Sequence, residues 1–147
     1  MKQIPGTWFE VKVRYEQTQE DGMNKMVTET YVYKAEDFGE AFDKAIKNMS
    51  TFISGEFGIT AMKIAQYGEV VMQDDKTEEK FYRVKANLII LDEKTQKEKK
   101  IACYYLVNAD SVEKARKYTD TALSDTMIDY VIEAVQEAKI IDVIFEK

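Results

Sequence analysis

Residues 50–58 hold the densest group of side chains that could do chemistry. The segment contains three hydroxyl residues, two glycines and Glu56, and it follows a predicted helix. Glycine can adopt backbone angles that expose amide groups to an anion. The competing interpretation is a helix end, with Phe52 and Phe57 packed into the core. The segment lacks the lysine and glycine spacing of a phosphate loop, which favours the helix end. Ser54 and Glu56 remain weak binding candidates.

The absence of histidine limits the catalytic chemistry of this chain. Catalysis by Ser-His-Asp or Cys-His, histidine-containing zinc motifs and imidazole pH switches are excluded within this polypeptide. Cys103 alternates with Ile101 and Tyr105 in a predicted strand, where a thiol typically packs as a small hydrophobe. We therefore predict no enzymatic activity, no catalytic residue and no cofactor.

The acidic residues also give no metal site. Pairs such as Asp74-Asp75, Asp92-Glu93 and Asp125/Asp129 could hold magnesium in principle. With 27 acidic residues, adjacent pairs arise from composition alone, and a solvated surface is the preferred interpretation.

Charged and aromatic residues provide the candidate contact surfaces. One predicted hairpin is basic, while the matching hairpin is acidic with Glu16, Glu20 and Asp21. Opposite charges on related hairpins could support self-association or docking on a partner; the alternative is that they serve solubility and edge protection. Tyrosines suit binding surfaces and strand interiors alike. The predicted binding residues, all weak candidates, are Trp8, Tyr33, Ser54, Glu56, Lys94, Lys97, Lys99, Lys100 and Tyr104.

Length and charge set the broad class. A chain of 147 residues can bury a sizeable core without a disulfide or metal. The formal charge of −6 argues against general nucleic-acid binding, because phosphate contacts need a concentrated basic surface. No apolar run approaches the roughly 18 residues of a membrane span, and the start has no signal-peptide core. We expect a cytoplasmic protein without membrane contact.

Three blocks of sequence return in order at almost one offset. Residues 8–13 return as 81–86, residues 31–38 as 105–112, and residues 65–71 as 138–144, at offsets of 73, 74 and 73. Such ordered self-similarity predicts an internal duplication.

The repeats set the predicted elements. In each copy an alternating strand is followed by a polar turn, at Glu20-Asp21-Gly22 and at residues 92–97, and then by a return strand. Asp37 and Ser111 are predicted helix N-caps. Phe38, Ala41, Phe42, Ala45, Ile46 and Met49 share one apolar helix face.

The last element of each copy suits a helix or a strand, and comparison of the copies favours a strand. The predicted fold is therefore α+β, with tandem β-β-α-β repeats in one domain of approximate two-fold internal symmetry. Repeat one covers about residues 7–72, a charged connector covers 73–80, and repeat two covers about 81–145.

Four segments resemble a family of short proteins of unknown function found in Bacteroidetes-type bacteria and their bacteriophages. They are residues 7–16, 52–57, 91–94 and 141–144, of which Trp-Phe-Glu and Phe-Ile-Ser-Gly-Glu-Phe are the most specific parts. The resemblance implies a bacterial or phage origin and a cytoplasmic setting, and it supplies no activity.

The sequence thus favours a small binding or assembly protein, associated with a phage or mobile element, that acts through protein contacts or self-association. One alternative is an acidic inhibitor or DNA mimic that blocks a nucleic-acid enzyme. The other is an enzyme with a non-histidine site near residues 51–56.

Overall fold

The computed structural model describes residues 1–74 and 78–145, which form an α+β fold with two mixed sheets. In order, the described elements are β1 (Lys2–Pro5), β2 (Trp8–Thr18), β3 (Asn24–Lys34), α1 (Phe38–Phe52), β4 (Phe57–Ile64), β5 (Glu69–Met72), β6 (Lys80–Leu91), β7 (Glu98–Ala109), α2 (Val112–Ser124), β8 (Asp129–Ala138) and β9 (Asp142–Ile144).

The chain divides into two compact units and passes between them three times. Unit 1 contains Met1–Pro5 and Gln66–Ala138, and unit 2 contains Gly6–Ala65 and Lys139–Lys147. Each unit holds one sheet and one helix. The prediction that both halves share one core in a single domain stays a prediction.

Unit 2 is built on the long hairpin of β2 and β3, with strand order β4-β2-β3-β9. The hairpin turns at Gly22, whose positive φ of 83° is a conformation that glycine adopts without steric cost. Alternation along β2 buries Phe9, Val11 and Val13 beneath α1. The predicted alternating strand is therefore confirmed, and its buried face holds the helix.

Unit 1 has the strand order β1-β5-β7-β6-β8. Here the β6 and β7 hairpin supplies the central strands, and the core beneath α2 includes Val84, Ala86 and Val107. The ambiguous last element of each copy is a strand, β4 or β8, which pairs antiparallel with the first strand of its hairpin. The strand prediction is confirmed at both places.

Irregular features fall at matching positions in the two units. The register of β2 against β4 shifts between Lys12 and Val13, and that of β6 against β8 shifts between Lys85 and Ala86. A short strand pairs in parallel with the return strand of each hairpin: β9 with β3, and β5 with β7. Neither short strand was predicted as a separate element, because three or four residues show no periodicity.

The helix caps are as predicted, but the two helices cover their sheets differently. The side chains of Asp37 and Ser111 accept hydrogen bonds from the amides of Glu40 and Lys114. Helix α2 packs across β6, β7 and β8, whereas α1 packs mainly on β2 and β3. Edge strand β4 is therefore less covered than its counterpart β8.

Part of the predicted charged connector is tied into unit 1. Asn108 accepts a hydrogen bond from the Gln73 amide (2.6 Å) and donates to the Glu78 carbonyl (3.4 Å). Glu78 is 6% exposed, and its Oε1 accepts hydrogen bonds from Tyr118 (2.6 Å) and Lys114 (3.4 Å). The connector is thus anchored at both described ends. Its residues 75–77, including one member of the Asp74-Asp75 pair, lie outside the described residues.

Removing the Asp37 cap should destabilise the protein. We expect Asp37→Ala to lower the free energy of unfolding by about 1 kcal/mol, because the Glu40 amide loses its acceptor. Urea unfolding would measure the change. Asp43→Ala, on the exposed side of the same helix, is the control, and equal effects of the two changes would contradict the capping role.

Removing the Asn108 side chain should loosen the connector. In Asn108→Ala the Gln73 amide loses its hydrogen-bond acceptor, and we expect its hydrogen exchange to accelerate. Loss of a buried polar partner should also cost about 1–3 kcal/mol of stability. Ser124→Ala, an exposed change in the same unit, serves as the control; unchanged exchange at Gln73 would show that Asn108 does not hold this segment.

Candidate functional site

A groove of about 460 Å³ lies in unit 2, where the end of the β2–β3 hairpin meets the loop between α1 and β4. It contains the predicted candidates Ser54 and Glu56, and Glu16 adds a second carboxylate. The complete lining is Glu16, Thr18, Asn24, Met26, Ser54, Gly55 and Glu56. All seven residues are exposed, so the groove is open to solvent.

The groove favours cations over anions, because its lining contains carboxylates and no basic side chain. Gly55 and Gly58 have no positive φ, so the backbone angles of the less favoured anion-binding alternative do not occur there. Thr51 is not part of the lining; its hydroxyl donates to the Asn48 carbonyl (2.7 Å). Among the described residues, no hydrogen bond joins Ser54 to a carboxylate that could serve as its base.

The helix end next to the groove also differs from the prediction. Phe52 is 76% exposed, so it does not pack into the core as expected, whereas Phe57 is partly buried against it. The α1 helix ends at Phe52 and is capped by Ile53, whose backbone is extended and whose amide donates to the Met49 carbonyl. This geometry directs the chain into β4 and leaves the last helical aromatic in solvent.

Two tyrosines share one carboxylate on the helix-covered face of unit 2. The hydroxyls of Tyr15 and Tyr31 donate to Glu29 Oε1 at 2.8 and 3.0 Å. Burial first, and then the Glu29 hydrogen bond, raise the pKa of both hydroxyls. The cluster holds its protons at neutral pH, so it acts as a hydrogen-bonded brace between neighbouring strands.

The predicted aromatic contact residues are mostly inside the protein. Trp8 and Tyr33 have no exposed surface, and the Tyr33 hydroxyl donates to Asn48 Oδ1 at 2.7 Å. Their expected position on an accessible surface is therefore corrected: Trp8 begins β2 and Tyr33 lies near the end of β3, where residues on both faces of the strand are buried. Tyr104 is partly exposed and lies opposite Lys85 on the β6–β7 ladder.

The four predicted lysines lie together on the β6–β7 hairpin of unit 1. Lys94 and Lys97 belong to the turn, while Lys99 and Lys100 pair with Ile90 and Ile89 across the ladder. All four are exposed. Exposed apolar residues accompany them on the same hairpin: Ile90, Leu91 and Ile101. The hairpin is therefore basic and partly apolar rather than purely solvating.

The predicted packing role of Cys103 agrees with its place in β7. The thiol is partly buried and pairs across the ladder with Ala86. Burial, followed by the influence of Cys103 and Glu69, raises the pKa of Tyr105 to about 12. Tyr105 therefore keeps its proton at neutral pH.

An exposed apolar row on α1 was not predicted as a surface. The predicted apolar face splits into two parallel rows: Ala41, Ala45 and Met49 are buried, whereas Phe38, Phe42 and Ile46 are 46%, 44% and 37% exposed. We call the second set the α1 row. Ala41 and Ala45 let the helix approach the sheet closely, and the larger side chains of the α1 row remain at the flank.

The α1 row faces the side of β4. On the opposite flank, Lys44 donates to the Lys34 carbonyl and Asn48 accepts from Tyr33, which fixes that side over β3. At the other flank, Phe38 meets Phe9 with ring centroids 5.0 Å apart. Phe9 pairs with Ile64 on β4, which is 56% exposed, so Ile64 extends the α1 row onto the sheet.

Among its described residues, unit 1 has no equivalent of this surface. At the 74-residue offset that relates Asp37 to Ser111, the positions of the α1 row hold Val112, Arg116 and Asp120. Glu137, which pairs with Tyr82 as Ile64 pairs with Phe9, is exposed but charged. Comparison of the two helix sequences was the signal that could have revealed the α1 row.

The fold is an α+β arrangement of two mixed sheets, each with one covering helix. The chain belongs to the family described as Domain of unknown function (DUF4494), whose model matches residues 7–147. No curated protein and no solved structure matches the chain.

The described residues contain neither a metal-binding cluster nor a membrane-spanning helix. No group of three or more cysteine, aspartate or glutamate side chains there could hold a metal ion. Neither described helix combines the length and apolar character needed to cross a bilayer.

Replacing Glu29 should change the alkaline titration of the tyrosines. Because Glu29 raises the pKa of Tyr15 and Tyr31, Glu29→Gln should let tyrosinate form at lower pH. The stabilisation from their raised pKa is complete below about 10, the unfolded value, and is lost as pH rises through the folded values. Ultraviolet titration of tyrosinate would show the shift. Glu16→Gln is the control, and identical curves for both variants would contradict the assignment.

Proposed function

We propose that this protein is a binding or assembly protein that acts through protein contacts, and that the α1 row with Ile64 forms its principal contact surface. The observation that carries the proposal is the exposure of these large apolar side chains on one flank of α1. At ~200 Å² for each large side chain, their exposed fractions correspond to about 370 Å² of apolar surface. This area lies within the range of the largest apolar patch on a typical monomer, which often has a function.

The difference between the two helices supports the same proposal. A polar flank with Arg116 and Asp120 is compatible with folding, since α2 has it and packs across its sheet. The fold therefore does not require the aromatic flank of α1. Binding to another protein chain through this flank would explain why its large apolar side chains are present.

The lysine hairpin is proposed as a second contact surface. Its exposed lysines would attract an acidic partner, and Ile90, Leu91 and Ile101 would add apolar area. Attraction by lysines alone should weaken with salt, because the Debye length falls from about 10 Å at 0.1 M to about 3 Å at 1 M.

We propose a non-enzymatic role without a cofactor. The groove with Ser54 and Glu56 is the best support for an enzyme, but it is open to water and pairs no nucleophile with a base among the described residues. An acidic inhibitor or DNA mimic would need many carboxylates on one face, whereas the groove joins Glu16 and Glu56 only.

We also propose that the two units arose by internal duplication. Matching register shifts, matching helix caps and matching parallel strands support an origin of both units from one β-β-α-β ancestor. The phage or mobile-element association and the cytoplasmic setting rest on the sequence resemblance.

Site-specific photo-crosslinking would test the proposed contact surface. A photoreactive amino acid at position 42, on the α1 row, should crosslink to protein in cells that carry the gene. The same amino acid at position 116, the corresponding place on α2, is the matched control. The same photoreactive amino acid in place of Lys97 tests whether the lysine hairpin contacts protein.

Crosslinks at position 42 that are absent at position 116 would support the α1 row, whether the captured protein is another copy or a different chain. Equal yields at both positions, or no protein crosslink at position 42, would overturn it.

A further inference from the structure

We propose that the outer edge of β4 binds an extended segment of another protein, in which apolar residues alternate with acidic ones. The segment would add a strand to the sheet of unit 2, with its apolar side chains beside the α1 row and its acidic side chains on the opposite face. This inference rests on the proposed contact function and states how the partner binds. Unit 2 offers a free strand edge, an apolar flank and a basic face at this place.

The edge of β4 has free backbone groups. In the order β4-β2-β3-β9, β2 is the only neighbour of β4 among the described strands. The Ala65 amide donates to the Trp8 carbonyl, which marks a hydrogen-bonded pair at the end of this antiparallel ladder. Hydrogen-bonded and open pairs alternate along such a ladder, so the backbone groups of Ile64 and Met62 point away from β2. An added strand would pair with these two residues.

The two corresponding edge strands differ in their protection. Strand β8, an edge of the sheet in unit 1, is covered by α2 and contains three carboxylates, those of Asp129, Glu133 and Glu137. Charged residues and a covering element protect an edge from pairing with other chains. Strand β4 has Lys63 as its one charged residue, and α1 packs mainly on β2 and β3. The edge of β4 is therefore the less protected of the two.

Apolar side chains line the helix side of this edge. Met62 packs against the core beneath α1, and Ile64 lies on the same face of β4. Ile64 pairs with Phe9, which contacts Phe38 of the α1 row. Neighbouring strands lie about 4.8 Å apart, so alternate side chains of an added strand would lie beside Ile64 and the α1 row. Backbone hydrogen bonds add to the affinity, so the apolar area need not reach that of a stable protein interface.

The opposite face of the same edge is basic. Lys12 on β2 pairs with Ala61, whose small side chain leaves room for the lysine to extend across β4. Among the described residues, Lys12 has no ion-pair partner, and it is exposed. The Lys63 side chain is 70% exposed and lies 3.6 Å from the buried Glu10 carboxylate. Both lysines would attract acidic side chains on this face of an added strand.

Two features limit the binding stretch to residues 61–64. The register shift leaves Thr60 as an extra residue in β4, and it interrupts regular pairing at that point. Beyond it, Glu16 and Glu56 of the groove would repel acidic side chains. The segment would therefore bind at the end of β4 that lies nearest Phe38.

Hydrogen exchange of the native protein with a synthetic peptide tests this inference. The probe is a short peptide in which valine alternates with glutamate, and its control has the same composition in a non-alternating order. The alternating peptide should slow exchange at the amides of Met62 and Ile64, because these amides gain acceptors. Exchange along β8 should not change.

Charge reversal on the basic face gives a second measurement. Lys12→Glu should weaken binding of the alternating peptide by roughly tenfold, because an attraction becomes a repulsion. The same variant should bind an alternating valine and lysine peptide more tightly than the native protein does. Lys47→Glu, an exposed change on α1, is the control and should leave both affinities unchanged. Fluorescence anisotropy of labelled peptides measures the affinities, and circular dichroism shows that each variant is folded.

Slower exchange at Met62 and Ile64, together with an affinity that Lys12→Glu lowers, supports the proposal. It is overturned if the alternating peptide binds no better than its control, if these amides are not slowed, or if Lys12→Glu has no effect. Protection of the same amides that grows with protein concentration in the absence of peptide identifies a second copy as the occupant and also overturns it. If position 42 still crosslinks to a different protein, the contact function survives and only this mode of binding is wrong.

Discussion

Parallel pairing of a short strand with the return strand of each hairpin is the constraint on which both units depend. In unit 2 the amide of Ile141 donates to the Thr30 carbonyl, and β9 then continues along β3. In unit 1 the amide of Gly68 donates to the Tyr104 carbonyl, and β5 continues along β7. Each short strand comes from the other half of the sequence, so neither half contains all strands of its own sheet. The crossing of the chain between units follows from these two ladders.

The exposed flank of α1 is a consequence of what its buried flank contains. Two alanines and Met49 face the sheet, and the helix settles over β2 and β3 because Tyr33 and Lys34 hold its opposite flank. The side chains nearest β4 are then too far out to be covered by the sheet. In unit 1, helix α2 has nearly the same length and carries polar residues on the corresponding flank. Unit 1 adds β1 at one edge of its sheet, and the other strands pair in the same order in both units, so the difference at this helix flank lies in one row of side chains.

Much of the fold could be predicted because local patterns determine it. Alternation of apolar and polar residues predicted the strands of both hairpins. The side-chain chemistry of Asp37 and Ser111 predicted the helix caps, and comparison of the repeats decided between helix and strand for β4 and β8. The short strands could not be predicted, since their partners lie more than thirty residues away in sequence. Long-range pairing leaves no periodic signal in three or four residues.

The candidate site was less predictable than the fold, for two physical reasons. A hydrophobic pattern shows that a helix face is apolar, but it does not show how much of that face the sheet covers; Ala41 and Phe42 belong to the same predicted face and have opposite exposure. A buried polar residue can also have a structural role that its residue type does not predict. Glu78 and Asn108 hold a connector in place, although their types suggested solvent and an ordinary strand end. Ser54 and Glu56 were located correctly in a loop, and the groove that joins them to Glu16 required the hairpin geometry.

The position of β9 has a consequence for synthesis of the chain on the ribosome. The β2–β3 hairpin and α1 emerge early, yet the sheet of unit 2 receives its last strand only after residue 144 has been made. Until then the outer edge of β3 presents unpaired backbone groups while the rest of the chain is translated. Completion of unit 2 thus waits for β9, and unit 1, whose last strand ends at Ala138, can close first although most of it is encoded later. Domains usually complete in the order of synthesis, and this connectivity reverses that order.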